Sequence, residues 1–216
     1  MSQFPLQLPQ EPVLSRENFV VSEANREAFS WVEQWPEWPS HCLIIYGSPG
    51  CGKTHLARLW QEHTGAVTLN AASLHPENLS GKQCYILENL RAVRDQAALL
   101  HLYNGTKEAG GFLLCTADAP PGVLGFTLPD ILSRLQSCPA SAMREPDDAL
   151  LAAVMTKYFS DRQLRVEREV VEYLVPRIAR SFAAAWGIVE AIDRRALETQ
   201  RTITVPLVRE VLEKGE

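Results

Sequence analysis

The run Gly47-Ser48-Pro49-Gly50-Cys51-Gly52-Lys53-Thr54 constrains this chain more than any other stretch, because it meets the pattern G-x-x-x-x-G-K-[ST] at every fixed position. It follows an apolar run, Cys42 to Tyr46, whose branched and aromatic residues suit a buried strand, and it opens a segment, Thr54 to His63, that reads as a helix. Strand, glycine loop and helix in that order make a phosphate-binding loop. Gly47 and Gly52 let the backbone fold back so that successive N–H groups converge on phosphate oxygens. Lys53 adds a full positive charge toward the outer phosphates, and the Thr54 hydroxyl is placed for a magnesium ion. The positive end of the helix adds to the attraction.

A chain of 216 residues has room for one α/β core and a smaller appendage. Its net charge of −5 argues against broad adhesion to nucleic acid, which is driven by counterion release from a basic surface, although a local basic face stays open. The cysteines at 42, 51, 84, 115 and 138 sit mostly in apolar runs and form no C-x-x-C pair, so they read as small buried hydrophobes of a reducing compartment. The beginning, MSQFPLQLPQEP, has neither the basic start nor the apolar core of a secretory signal, and no later run is long enough to span a bilayer. The expectation is a cytoplasmic protein with no membrane partner.

Residues 1–17 are rich in proline and are expected to form an extended, mobile arm. Within it Phe4, Leu6 and Leu8 fall on one side of an extended peptide, and Pro5 and Pro9 lower the cost of ordering it on a partner. By spacing alone a solvated tail is the simpler account. Residues 18–144 then alternate between the two periods. Ser22 is the expected N-cap of a helix carrying Ala24, Ala28, Trp31 and Val32 and stopped by Pro36; Trp31, Trp35 and Trp38 read as packing rather than as a platform for bases. Short strands are expected at Ala66–Leu69, Gln83–Leu87 and Phe112–Thr116, with a helix from Asp95 to Glu108 ended by Gly110 and Gly111. Strands alternating with helices imply an α/β fold with a parallel sheet covered on both faces, which binds ligands at the carboxyl ends of its strands. Residues 145–216 read as helix throughout, a small all-helical domain.

Glu88, closing the run Cys84 to Leu87, stands where a phosphate-loop fold needs an acid to hold magnesium through water. Asn89 follows it, and an amide cannot take a proton from attacking water. Asp118, just after the strand ending at Thr116, is placed either to sense the third phosphate or to form the turn before Pro120 and Pro121.

Together the phrases ENFVVSEANREA, GSPGCGKTHLARLW, YILENL and LLCTADAPP resemble the DnaA/Hda family of AAA+ proteins, over about residues 17–200. The chain ends after its helical segment, without a helix-turn-helix domain, and begins with QFPLQL; both features resemble the shorter, Hda branch of the family rather than DnaA. The resemblance implies an AAA+ P-loop domain followed by a helical lid that binds ADP or ATP with Mg. It assigns Phe19, Val20, Val21, Gly47, Pro49, Gly50, Cys51, Gly52, Lys53, Thr54 and His55 to the nucleotide, Thr54 and Glu88 to the metal, and Asp118 to sensing. It makes Gln3, Phe4, Leu6 and Leu8 a ligand for the DNA polymerase III β sliding clamp, with DNA reached only through the clamp and a homodimer possible. Arg134, in LPDILSRLQS, becomes an arginine finger offered in trans to ATP on DnaA, an effect worth about 10³ to 10⁵ in rate in well-studied GTPases.

The implied function is negative regulation of DNA replication initiation. The lid arginine of DnaA would fall near Ala183, where this chain has none, so efficient ATP hydrolysis by the chain alone is not expected. Two alternatives stand beside this reading. One is a self-sufficient AAA+ ATPase such as a helicase loader. The other is a DNA-binding regulator using the arginines at 162, 165, 168, 177 and 180, although Glu167, Glu169 and Glu172 are interspersed among them.

Overall fold

A computed structural model describes residues 14–75 and 84–214. The sequence motifs Gln3, Phe4, Leu6 and Leu8, and Gln83 at the head of an expected strand, lie outside the described residues. The strands are β1 Cys42–Tyr46, β2 Val67–Asn70, β3 Cys84–Glu88, β4 Phe112–Ala117 and β5 Ala140–Ala142, all parallel, in the order β2-β3-β4-β1-β5. Parallel strands need crossovers, and the helices α1 Arg26–Glu33, α2 Lys53–Thr64, α3 Gln96–Glu108 and α4 Pro129–Ser137 cover the two faces.

The alternation of side chains along the strands divides the core. Cys42 and Ile44 of β1, with Tyr85, Leu87, Leu113 and Cys115, pack against α3 and α4; Leu43 and Ile45, with Cys84, Ile86 and Leu114, pack against α1 and α2. Both faces are dry, which is why these strands read as continuous apolar runs. Trp38 stacks on Trp60 of α2 with ring centroids 5.4 Å apart, and its Nε1–H donates to the Trp31 carbonyl at 2.6 Å. Trp35 meets Phe112 edge-on at 5.8 Å, so the tryptophans that follow α1 belong to the core. All five cysteines are buried and unpaired by disulfides.

The remaining helices, α5 Asp148–Asp161, α6 Arg168–Leu174, α7 Phe182–Thr199 and α8 Val205–Lys214, pack around a separate cluster that includes Leu151, Phe159, Leu174, Val189 and Leu207. Among the described residues, side-chain caps start three of the α-helices: Asp95 accepts from Ala97 and Ala98, Asp147 from Leu150, and Ser181 from Ala184. No helix among the described residues is long and apolar enough to cross a membrane.

Three local expectations change. Helix α1 begins at Arg26, not beside Ser22, because Asn25 accepts the Ser22 N–H and donates to the Val20 carbonyl, locking residues 22–25 into a turn. The end of the expected arm is docked: Arg16–Asn18 form a 3₁₀ turn, the Ser15 carbonyl bonds to His55, and the Arg16 guanidinium lies 4.5 Å from the centre of the Phe29 ring. Strand β5 was not expected at all. Its sequence, Ala-Ser-Ala, has no β-forming side chain, and pairing with β1 makes it a strand.

Candidate nucleotide site

The phosphate loop leaves β1 at Gly47 and enters α2 at Lys53. A side chain at Gly47 would overlap the Met143 carbonyl oxygen, so glycine is required where β5 ends beside the loop. Gly50 and Gly52 have φ of +77° and +100°, left-handed values that turn the loop. The Lys53 ammonium donates to the carbonyls of Gly47 at 2.7 Å and Ser48 at 2.9 Å, which holds its charge over the loop. Thr54 donates its hydroxyl to Glu88 Oε2 at 3.1 Å, so the two oxygens named for magnesium stand side by side at the carboxyl ends of β1 and β3. Hard oxygen donors in this position fit that ion.

Beside the loop lies a cavity of about 340 Å³ lined by Asn18, Phe19 and Val20 on one side, Gly50, Gly52, Lys53, Thr54 and His55 at its base and Val154, Tyr158, Phe182 and Trp186 of α5 and α7 opposite. It has an apolar end and a cationic end, which suits a planar base carrying phosphates. Of the residues the resemblance assigns to a nucleotide, Phe19, Val20, Gly50, Gly52, Lys53, Thr54 and His55 line it. Pro49 is exposed on the loop and Cys51 is buried beneath it; neither they nor Gly47 is among the lining residues. Val21 also falls outside the cavity: it stands at the head of the Ser22–Asn25 turn and is 39% exposed.

His55 donates from Nε2 to the Ser15 carbonyl at 2.9 Å and meets Phe19 edge-on at 5.1 Å. Burial lowers its pKa, and the bond to Ser15 offsets only part of that shift. The unfolded chain then binds a proton at this site more readily than the folded one, so this contribution is complete above the ordinary histidine range and falls as pH drops below it, from about 6.5. We expect melting temperature to fall between neutral and mildly acidic pH, and to fall less in His55→Gln, which keeps a donor but does not titrate. Equal acid sensitivity of the two proteins would refute this assignment.

Asp118 is held by the Arg91 Nε–H, at 2.9 and 2.6 Å to its two oxygens, and that bond keeps its carboxyl below the usual range. It is therefore already engaged by Arg91 rather than a free acid, and it does not line the cavity. Asn89 adopts φ of +61° and donates its N–H to Thr116 Oγ1 at 3.0 Å, which ties the ends of β3 and β4 together.

Arg134 lies elsewhere. Its guanidinium is 5.6 Å from the centre of the Tyr103 ring, and that ring packs against His41, which directly precedes β1. The phosphate loop follows the other end of β1, so Arg134 and Lys53 are separated by the length of that strand, roughly 16 Å at the usual rise. Arg134 is partly exposed and makes no ion pair among the described residues.

Sequence reasoning missed the lid side of the cavity. Val154 and Tyr158 are spaced by one helical turn, as are Phe182 and Trp186, but that spacing equally describes a lid core. The lid's placement selects these faces: the Phe182 N–H donates to the Gly50 carbonyl at 3.0 Å, and Ser181 fills the space above Gly50. Asn25, 2% exposed, was missed as well, and nothing in its spacing marks it.

Comparison with known proteins agrees with this geometry. A family model described as "Hda, lid domain" matches residues 148–212. An uncharacterized protein of Haemophilus influenzae is 28% identical over 186 residues, 79% of this chain and 80% of that one. Domain III of the Thermotoga maritima replication initiation protein DnaA superposes with a TM-score of 0.79 at 17% identity, covering 96% of this chain and 98% of that chain. AMPPCP-bound DnaA from Aquifex aeolicus gives 0.73 at 21% identity over 87% of this chain and 67% of that chain. The Thermotoga maritima RuvB branch migration motor gives 0.73 at 16% identity over 92% of this chain and 71% of that one. With a five-stranded parallel sheet and a glycine loop at the end of its β1 strand, this chain has the fold of DnaA domain III, and its residues 148–212 match the Hda lid domain.

Proposed function

We propose that the chain is a regulator of replication initiation that binds an adenine nucleotide between its α/β core and its lid, and acts on ATP held by DnaA. The match of its lid to the Hda lid domain and its likeness to DnaA domain III support the setting. AMPPCP is bound in two of the similar DnaA structures, which supports an adenine nucleotide, ADP or ATP, in the cavity. Thr54 and Glu88 would hold Mg there, and the ion would supply charge neutralisation between phosphate oxygens. Phe19, Val20 and the lid aromatics take the base, and Lys53 takes the phosphates.

The observation that carries the proposal is the position of Arg134, a partly exposed cation a strand's length from its own phosphate loop. Such a residue serves a neighbouring molecule's phosphates better than its own. The arm supplies the second part: Gln3, Phe4, Leu6 and Leu8 dock on the sliding clamp and raise the local concentration of the chain near DnaA on DNA. The chain's own nucleotide then serves chiefly to hold lid and core in one orientation.

The proposal is tested by a pull-down of clamp with the wild-type chain and with Gln3→Ala, Leu6→Ala. The double variant is expected to lose clamp and to keep its affinity for ADP, read by calorimetry. Retention of clamp by the double variant would overturn the tether, and failure of the wild type to bind any adenine nucleotide would overturn the site.

A further inference from the structure

The lid wall of the cavity continues outward into a polar structure that the proposed function leaves unused. Val154 and Tyr158 follow one another along one face of α5, and Arg162 caps that helix one turn further on. On α7 the matching series is Phe182, Trp186 and Asp193. The two series meet side by side. The Tyr158 and Trp186 rings touch edge to face, with centroids 5.1 Å apart and planes at 89°, and both line the cavity. Next outward, the Arg162 guanidinium lies 4.5 Å from the centre of the Trp186 ring and its Nη1 donates to Asp193 Oδ2 at 3.1 Å.

This pair is unlike the other ion pairs of the lid. The side chains of Arg162 and Asp193 are only 12% and 19% exposed, whereas Arg168–Glu172 and Arg180–Asp148 are more than half exposed on both partners. Arg162 Nε is buried and has no hydrogen-bond partner. A buried guanidinium with an unsatisfied donor is a poor way to stabilise a helical domain, since an apolar residue would serve as well or better. What the arginine does that an aliphatic side chain cannot is present a flat cation to an indole while its other end is fixed by a carboxylate.

We infer that Arg162 is a positioning residue for the nucleotide base: clamped by Asp193, it fixes the Trp186 indole as one wall of the cavity without touching the ligand. The inference rests on the reading of the cavity as an adenine nucleotide site. The Trp186 indole N–H makes no hydrogen bond among the described residues, so the orientation of the ring depends on the rings and the guanidinium around it. Release of the indole changes the shape of the base end and leaves the phosphate loop, with Lys53 and Thr54, untouched.

The test uses Arg162→Lys, which keeps the charge beside Asp193 and removes the planar face, together with Trp186→Leu. Binding of ADP and of GDP is measured for each protein, with near-ultraviolet circular dichroism and melting temperature to confirm folding. Wild type is expected to prefer ADP and to change its tryptophan emission on binding, a change that Trp186→Leu lacks. Arg162→Lys is expected to fold, to bind ADP about fivefold to tenfold more weakly, and to lose part of its preference over GDP. A lysine variant with wild-type ADP affinity, wild-type selectivity and the full emission change would overturn the positioning role. If Arg162→Lys does not fold, an Arg162→Met, Asp193→Leu pair replaces the ion pair by apolar packing; it is expected to fold and to show the same loss of base selectivity, and unchanged selectivity in it would equally overturn the role. A wild type that binds neither nucleotide overturns the site itself, an outcome distinct from a variant that merely matches it.

Discussion

Arg134→Ala is expected to abolish stimulated hydrolysis of DnaA-bound ATP, with a loss of about 10³-fold or more in the stimulated rate. The chain's own affinity for ADP should not change, because the guanidinium rests near Tyr103 and His41 at the far end of β1 from Lys53. Clamp binding should also persist. Arg134→Lys is expected to recover little, since a point charge lacks the planar fork that meets two phosphate oxygens at once. The measurement is single-turnover hydrolysis of labelled ATP on DnaA in the presence of DNA-loaded clamp. Full stimulation by Arg134→Ala would remove the finger from the proposal while leaving the nucleotide site standing. A fall in ADP affinity together with stimulation would instead show that Arg134 acts within its own molecule.

The second large effect is expected at Gly47. A Cβ there overlaps the Met143 carbonyl oxygen and comes within 3.0 Å of Cys51 Sγ. Neither neighbour can withdraw easily. Met143 donates its N–H to the Tyr46 carbonyl at 2.7 Å, and Gly47 itself donates to the Ala117 carbonyl at 3.2 Å, so the loop is fastened between the ends of β4 and β5. Gly47→Ala should cost on the order of 3 kcal/mol of stability by forcing these ends apart. It should also abolish measurable ADP binding, because the displaced residues are those from which the phosphate loop begins. Gly65→Ala is the control: φ is +65° but no atom lies within 4 Å of the added carbon, so only the left-handed penalty of about 1 to 2 kcal/mol applies. Denaturant unfolding of the two variants separates the effects, and equal losses would mean that contact with β5 does not constrain the loop.

Both effects depend on the same division between local and long-range information. The phosphate loop was legible because its chemistry is local: glycines, a lysine and a threonine at fixed spacing after an apolar run carry their own geometry. The pairing of Thr54 with Glu88 was legible for a related reason, since parallel strands bring their carboxyl ends to one edge of the sheet. Gly110 and Gly111 ended α3 as read, with the Gly111 N–H donating back to the Thr106 carbonyl at 2.9 Å.

Local spacing failed where a partner element decided the outcome. Ser22 has the composition of an N-cap, yet the Asn25 side chain captured its N–H and moved the helix start to Arg26. Val21 belongs to the same apolar run as Phe19 and Val20, yet the turn carries it to the surface. Asp118 could be read as a sensor or a turn former from the chain alone, and only the fold brings Arg91 to its carboxylate.

By itself, then, the sequence determined the alternation of strand and helix, the phosphate loop, the acid at the end of β3 and the predominantly helical character of the described chain after Glu145. These follow from periodicity and from spacing within a few residues, which the chain carries wherever it folds. Tertiary structure alone decided that Ala140–Ala142 completes the sheet, that the aromatic faces of α5 and α7 close the apolar end of the cavity, and that Arg134 stands a strand's length from Lys53. Those features arise from contacts between residues distant in the chain, and no helical or strand period records which of several equally apolar faces will meet which partner.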